Sequence, residues 1–162
     1  MGGVIKIKSP HRKCIEIGFQ YIGCVDPKSD RAMWQNNGEI IVHRDVRLGS
    51  GTKLVNGGLL ELGANFGTSA STTIICYDSM KFGDDCMISW DCLFVDTDLH
   101  PIKDESNEII NQNRPVEIGN HVWIGTRSTI LKGSKIPDNV VVVAGSVVSG
   151  NVGKENTIIT GN

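Results

Sequence analysis

The chain has 162 residues, a formal net charge of −2 and 40% hydrophobic residues. That length suits one domain with a real core, and the near-neutral balance gives no sign of a nucleic-acid or other polyanion partner. No run of about 18 apolar residues is present to cross a membrane as a helix, and the 5 cysteines, with no CxxC spacing, point to free thiols in a reducing cytoplasm.

The opening stretch, MGGVIKIKS, lacks the apolar run of a signal peptide. Lys6 stands where a myristoylation motif requires Ser or Thr, so no lipid anchor is expected. Residues 1–42 carry only fragments of a period, IEIG at 15–18 and YIG at 21–23, around the polar insertion VDPKSDRAMWQNNGE. They are expected to form irregular opening coils that cap the rest, a role terminal repeats must fill. Trp34 is expected either to pack there or to line an acceptor site. His11 and His43 are expected at the surface.

Further along, a six-residue period emerges. Leu48 and Leu54 lead one block, Leu62 with Ile74 in phase a second, and Phe82 and Ile88 a third. The offsets between blocks are not multiples of six, which predicts short inserted turns near Leu60 and Met80. From Ile118 the repeat is strict: IGNHVW, IGTRST, ILKGSK, IPDNVV, VVAGSV, VSGNVG. An aliphatic residue opens each hexad, and a small or β-branched one follows four positions later (Val122, Ser128, Ser134, Val140, Ser146, Val152). An α-helix returns its apolar face every three or four residues and cannot match this spacing. Short strands joined by turns do match it, with three hexads to a coil and the coils stacked as a parallel β-solenoid over residues 43–162. Gly63, Gly83, Gly119 and Gly125 each follow an opening residue, which calls for unusual backbone angles or close approach of the next coil. Cys86 and Cys92 hold equivalent positions six apart and read as small core residues rather than a metal pair.

The pattern breaks at FVDTDLHPIK, residues 94–103. Extending the frame makes Asp98 a corner residue and His100 the next inward one. Burying either without partners would cost several kcal/mol. The chain is therefore expected to leave the core here and rejoin at Val116 and Ile118. The polar stretch between, bounded by Pro101 and Pro115, predicts a projecting loop over about residues 101–115. His100 would stand at its root. An imidazole can take and return a proton near neutral pH, and Asp96 and Asp98 are candidates to orient it. A histidine held in a structural hydrogen bond fits the same residues equally well.

Taken together, DTDLHPI, a loop, VEIGNHVWIGTRSTILKGSKI and VVAGSVV resemble the hexapeptide-repeat acyltransferases. Within them the similarity is to the galactoside, maltose and capsular-polysaccharide O-acetyltransferases, over about residues 40–162. The resemblance implies an all-β fold, a left-handed parallel β-helix, although generic chain rules favour right-handed crossovers. It also implies a homotrimer with acetyl-CoA between neighbouring solenoids, a small-molecule or glycan acceptor, and no required metal. It puts the catalytic base on His100 and an active-site wall on Trp123. Thr126 and Ala144, with Gly145 and Ser146 beside it, would meet the pantetheine arm, and Asp78 would help hold the acceptor. Three departures stand out. Ala70 replaces an Asn of the galactoside enzymes, the N-terminal helical region of the maltose-type enzymes has no counterpart, and DTD with ISWD upstream is closer to the polysaccharide branch. Family members continue past TGN with Pro-Ala and basic residues, whereas this sequence stops at Asn162. CoA is then expected to rest on arm contacts and on Lys132, Lys135 or Lys154.

Direct transfer in a ternary complex is the expected mechanism, because no serine or cysteine is evidently activated. The oxyanion donor would be a backbone N–H or the Trp123 indole. Three rivals share parts of the pattern. A γ-class carbonic anhydrase needs three zinc-bound histidines, and here His100 and His121 lie far apart with no HxxxxH pair. A xenobiotic acetyltransferase would share every residue named and differ in its acceptor. A non-catalytic scaffold would make DTDLHP a corner turn and nothing more.

Overall fold

A computed structural model describes residues 2–18, 25–26 and 28–161. Cys24, the YIG fragment at 21–23 and Asn162 lie outside the described residues. Among these residues there are strands and turns and no helix. The first coil holds β1 (Val4–Ile7), β2 (Ile15–Ile17) and β3 (Met33–Asn36), and the second β4 (Glu39–Val42), β5 (Val46–Leu48) and β6 (Lys53–Asn56). The third holds β7 (Leu59–Leu62), β8 (Phe66–Thr68) and β9 (Thr73–Cys76), and the fourth β10 (Ser79–Phe82), β11 (Met87–Ile88) and β12 (Leu93–Val95). The fifth holds β13 (Val116–Ile118), β14 (Trp123–Ile124) and β15 (Thr129–Ile130). The sixth holds β16 (Lys135–Ile136), β17 (Val141–Val142) and β18 (Val147–Val148), and β19 (Ile158–Ile159) follows.

Every third strand pairs in parallel, which makes three sheets. The first is β1-β4-β7-β10-β13-β16, the second β2-β5-β8-β11-β14-β17-β19, and the third β3-β6-β9-β12-β15-β18. The molecule is a left-handed parallel β-helix of triangular section, and the stack of strand pairs begins at β1. The first coil is the irregular one. Ile5 pairs with Ile40, 35 residues on, whereas Met33 pairs with Lys53, 20 residues on.

Coil length explains the broken phase of the hexads. In the later coils Ile124 pairs with Val142 and Ile130 with Val148, an 18-residue step of three hexads. In the earlier coils Leu54 pairs with Ile74 and Leu60 with Met80, a 20-residue step. The two extra residues form the corners Gly57–Gly58 and Tyr77–Asp78, between the third and first sheets, where turns were predicted. Inward residues stack on their counterparts one coil away. Leu62 stacks on Phe82 and Ile74 on Phe94 in this way, and Phe66, Phe82 and Phe94, one from each sheet, meet across the core with ring centroids 4.7 and 5.1 Å apart. Cys86 and Cys92 are buried core residues.

The glycines after the opening residues answer to close approach rather than to backbone angle. A Cβ on Gly63 would stand 2.3 Å from the backbone of Gly83, and one on Gly83 would stand 2.6 Å from Gly119. The positive backbone angles fall elsewhere in the corners, on Asn65, Asp85, His121 and Asn139. Asn and Asp tolerate that conformation better than other side chains.

Candidate functional site

The loop is built from the corner residue that follows β12. Asp96 is fully buried. Its carboxylate accepts the backbone N–H of Tyr77 at 2.8 Å and of Asp78 at 2.9 Å. The six-residue frame had made Asp98 the corner residue. The fourth coil instead keeps the 20-residue frame, in which Asn36, Asn56, Cys76 and Asp96 succeed one another at the same corner. Asp96 is therefore the buried member, and the polar burial is offset by its two N–H donors.

Beyond Thr97 the chain leaves the core. Leu99 adopts φ +63°, held by its N–H donating to Thr97 Oγ1 at 3.0 Å. Bulky residues rarely enter this region, and such strain tends to gather at functional sites. His100 follows directly and is exposed. Asp98 accepts hydrogen bonds from Lys132 Nζ and from Asn111 Nδ2. The lysine, then the amide, holds its carboxyl below the ordinary carboxylate value. Asn111 Nδ2 also donates to the His100 carbonyl at 2.9 Å, so one amide fixes both sides of the loop root. Both carboxylates near His100 thus have other partners, and among the described residues no hydrogen bond reaches its ring.

The loop is ordered by its own bonds. Lys103 and Ile109 form an antiparallel bridge, and Ile110 N donates to Ile102 O at 2.9 Å. The chain returns through Arg114 N donating to Asp96 O at 3.1 Å. Between loop and solenoid lies a cleft of about 490 Å³ that includes Tyr77, Asp98, His100, Ile109 and Asn111. Asp78, exposed beside Tyr77, belongs to the same corner.

The other candidates gather elsewhere. Trp123 lies on β14 in the second sheet, half exposed, its indole N–H donating to Ser89 Oγ at 3.0 Å. Thr126 occupies the next corner, between second and third sheets, its hydroxyl donating to Trp90 O at 2.8 Å. Gly145 N donates to Thr126 O at 2.8 Å, which stacks Ala144–Ser146 directly after Thr126. Gly125 makes that stacking possible, since a Cβ there would stand 2.5 Å from Ala144 N. Gly145, at φ +75°, has nothing within 4 Å of the place a Cβ would take, so this corner presents open backbone. Ser146 is turned inward, donating to Val143 O at 2.6 Å. One chain therefore brings Trp123, Thr126 and Ala144–Gly145 together, and His100, Tyr77 and Asp78 together, on different edges of the triangle.

Lys132 and Lys135, expected near CoA, make contacts within the chain. Lys132 also donates to the carbonyls of Asn111 and Gln112, and Lys135 pairs with Glu117 at 2.8 Å. His11 and His43 form surface pairs, with Asp45 at 2.8 Å and Glu61 at 2.7 Å. Cys14, Cys76, Cys86 and Cys92 carry free thiols. Burial raises three of these, Cys86 to about 11, so none of the three is a ready nucleophile. Among the described residues no three His, Cys, Asp or Glu side chains converge as a metal site, and no helix is long and apolar enough to cross a membrane. Tyr77 and Asn111 are invisible to a hexad reading; the 20-residue column through Cys76 and Asp96 is the signal that leads to Tyr77.

The described residues thus form a triangular solenoid of stacked strands that the chain leaves after β12 through a loop with a histidine at its root. A family profile described as "Bacterial transferase hexapeptide (six repeats)" matches residues 115–150. The putative lipopolysaccharide biosynthesis O-acetyl transferase WbbJ of Escherichia coli (strain K12) is 30% identical over 139 residues, covering 78% of this chain and 70% of that protein. Polysialic acid O-acetyltransferase of Neisseria meningitidis is 45% identical over 62 residues, 38% of this chain and 29% of that protein. The crystal structure of the polySia-specific acetyltransferase NeuO superposes with a TM-score of 0.54 at 25% identity, covering 78% of this chain and 55% of that one. The chain belongs to the hexapeptide-repeat acyltransferase family, and the two protein relatives bear O-acetyltransferase names, that of WbbJ as putative. It spans less than a third of the length of the Neisseria relative.

Proposed function

We propose that this protein transfers the acetyl group of acetyl-CoA to a hydroxyl of a sugar or polysaccharide precursor, with His100 as general base. The observation that carries this reading is the placement of His100. Its carbonyl is held by Asn111, while its ring stands exposed in a cleft without a bond to either nearby carboxylate. An imidazole so placed can serve an incoming hydroxyl. The acceptor proton passes to a ring nitrogen as the hydroxyl oxygen attacks the thioester carbonyl. The C–O bond forms, the C–S bond breaks, and the imidazolium returns its proton to the departing thiolate. The raised thiols argue for direct transfer rather than an acyl-cysteine.

The working unit in this reading is a cyclic homotrimer. Support comes from the separation of the two residue groups: a second copy is what would face Trp123, Thr126 and Ala144 toward His100. The open backbone at Gly145 suits the pantetheine arm, which is bound along its length by main-chain groups. Residues 43–162 would carry the transferase and 1–42 its cap, with Asp78 on the acceptor side. The free thiols suit a reducing cytoplasm, where acetyl-CoA is available. The test is free-thiol release from acetyl-CoA across sugars, nucleotide sugars, glycans and antibiotics. Turnover with a sugar or glycan is expected, and turnover with antibiotics alone would replace this acceptor class.

A further inference from the structure

We propose that Tyr77 is the platform on which the acceptor's sugar ring lies, and that buried Asp96 is the positioning residue that sets it. This rests on the acyl-transfer reading of the His100 cleft and names the acceptor side of that site. Tyr77 lines the cleft with His100 and keeps 48% of its surface exposed, although large aromatic rings gain most from burial. Its ring lies over Gly57: a Cβ there would stand 3.1 Å from Cδ1 and 3.2 Å from Cε1 of Tyr77. A larger residue at position 57 would push the ring away. Its main chain is pinned from below by the Asp96 carboxylate at 2.8 Å. The ring is thus fixed at its base and open toward the cleft. Gln112 and Asn113, from the returning loop, line the same cleft and offer both donors and acceptors.

A ring wall with a few amides selects a ligand with one apolar face and a polar edge. A pyranose has this form, with C–H groups across its face and hydroxyls around its rim. An acyclic polyol has the hydroxyls without the face. Seating the ring on Tyr77 would hold one rim hydroxyl toward His100, the positional constraint from which much of a transfer rate derives.

The test uses the full chain with methyl galactoside, a short oligosialic acid and sorbitol. Saturation-transfer NMR should show transfer to the ring C–H protons of at least one cyclic sugar and none to sorbitol. Tyr77→Ala should abolish it, while Tyr77→Phe and His100→Ala should keep it. In turnover, Tyr77→Ala should raise the KM for that sugar about tenfold or more, with the KM for acetyl-CoA within about twofold. Asp96→Asn, which leaves one N–H without an acceptor, should raise the same sugar KM and spare that of acetyl-CoA. The platform is overturned if no cyclic sugar receives saturation, if sorbitol receives as much, or if Tyr77→Ala changes neither readout. Sugar binding through Tyr77 without acetyl-CoA turnover would uphold the platform and remove the acyl-transfer reading instead.

Discussion

Asn111 donates one amide to the His100 carbonyl at 2.9 Å and to Asp98 at 2.8 Å, so the far end of the loop holds the near end in place. Removing that amide tests whether the rigidity matters. Asn111→Ala should lower kcat about tenfold while leaving the melting temperature close to wild type, because the contact lies at the surface and misplacement alone is costly to rate. Steady-state kinetics beside a thermal melt would measure both.

His100→Ala or Asn should reduce turnover by about 10²-fold or more, the usual worth of a general base. The side chain is outside the core, so melting temperature, assembly and acetyl-CoA affinity should hold. A purified, correctly assembled His100→Ala protein acetylating at the wild-type rate would reduce the broken hexad to a structural corner.

Trp123 should respond to two substitutions differently. Its indole N–H already donates to Ser89. Trp123→Ala should weaken both acetyl-CoA binding and rate, since the wall is lost. Trp123→Phe should retain most binding and separate the wall from the N–H; calorimetry and kinetics report each.

The anchor at the loop root has a defined pH window. The folded-state pKa of Asp98 is lowered by Lys132 and Asn111 from its ordinary value of 3.8. Its contribution is therefore complete above that value and is lost as pH falls through the lower folded-state pKa. The Ile102 N–H donates to Asn111 Oδ1 and the Arg114 N–H to Asp96 O, and their hydrogen exchange should stay protected from neutral pH down to the ordinary carboxylate range and accelerate only in stronger acid. In Lys132→Ala the acceleration should begin at higher pH.

Gly58→Ala tests the stacking of coils beneath the Tyr77–Asp78 corner. The added Cβ would meet Asp78 O at 2.3 Å, against main chain that cannot give way easily. A loss of about 1–3 kcal/mol in unfolding free energy is expected, the usual effect of overpacking. Because the clash is with the Tyr77–Asp78 corner, sugar KM should rise in the same variant.

Read alone, the residues specify a great deal of this protein. Ile118, Ile124, Ile130 and their successors announce stacked coils, because inward side chains must recur once per strand and no helix shares that spacing. The break at Asp98 and His100 announces the loop, since unpaired charge cannot stay in the core. Handedness came through family resemblance, because a period carries no chirality. The tertiary structure decided which carboxylate goes where. A hexad count gave the corner to Asp98, but the 20-residue coils pass that place to Asp96, whose partners are the N–H groups of Tyr77 and Asp78 one coil away. It likewise assigned Lys132 to the loop root and separated Trp123 from His100 onto different edges of the triangle. Such relations join residues 18 to 36 positions apart through coil length and corner insertions. Local pattern gives each strand its inward face, but only the accumulated stacking of every coil decides which side chains meet.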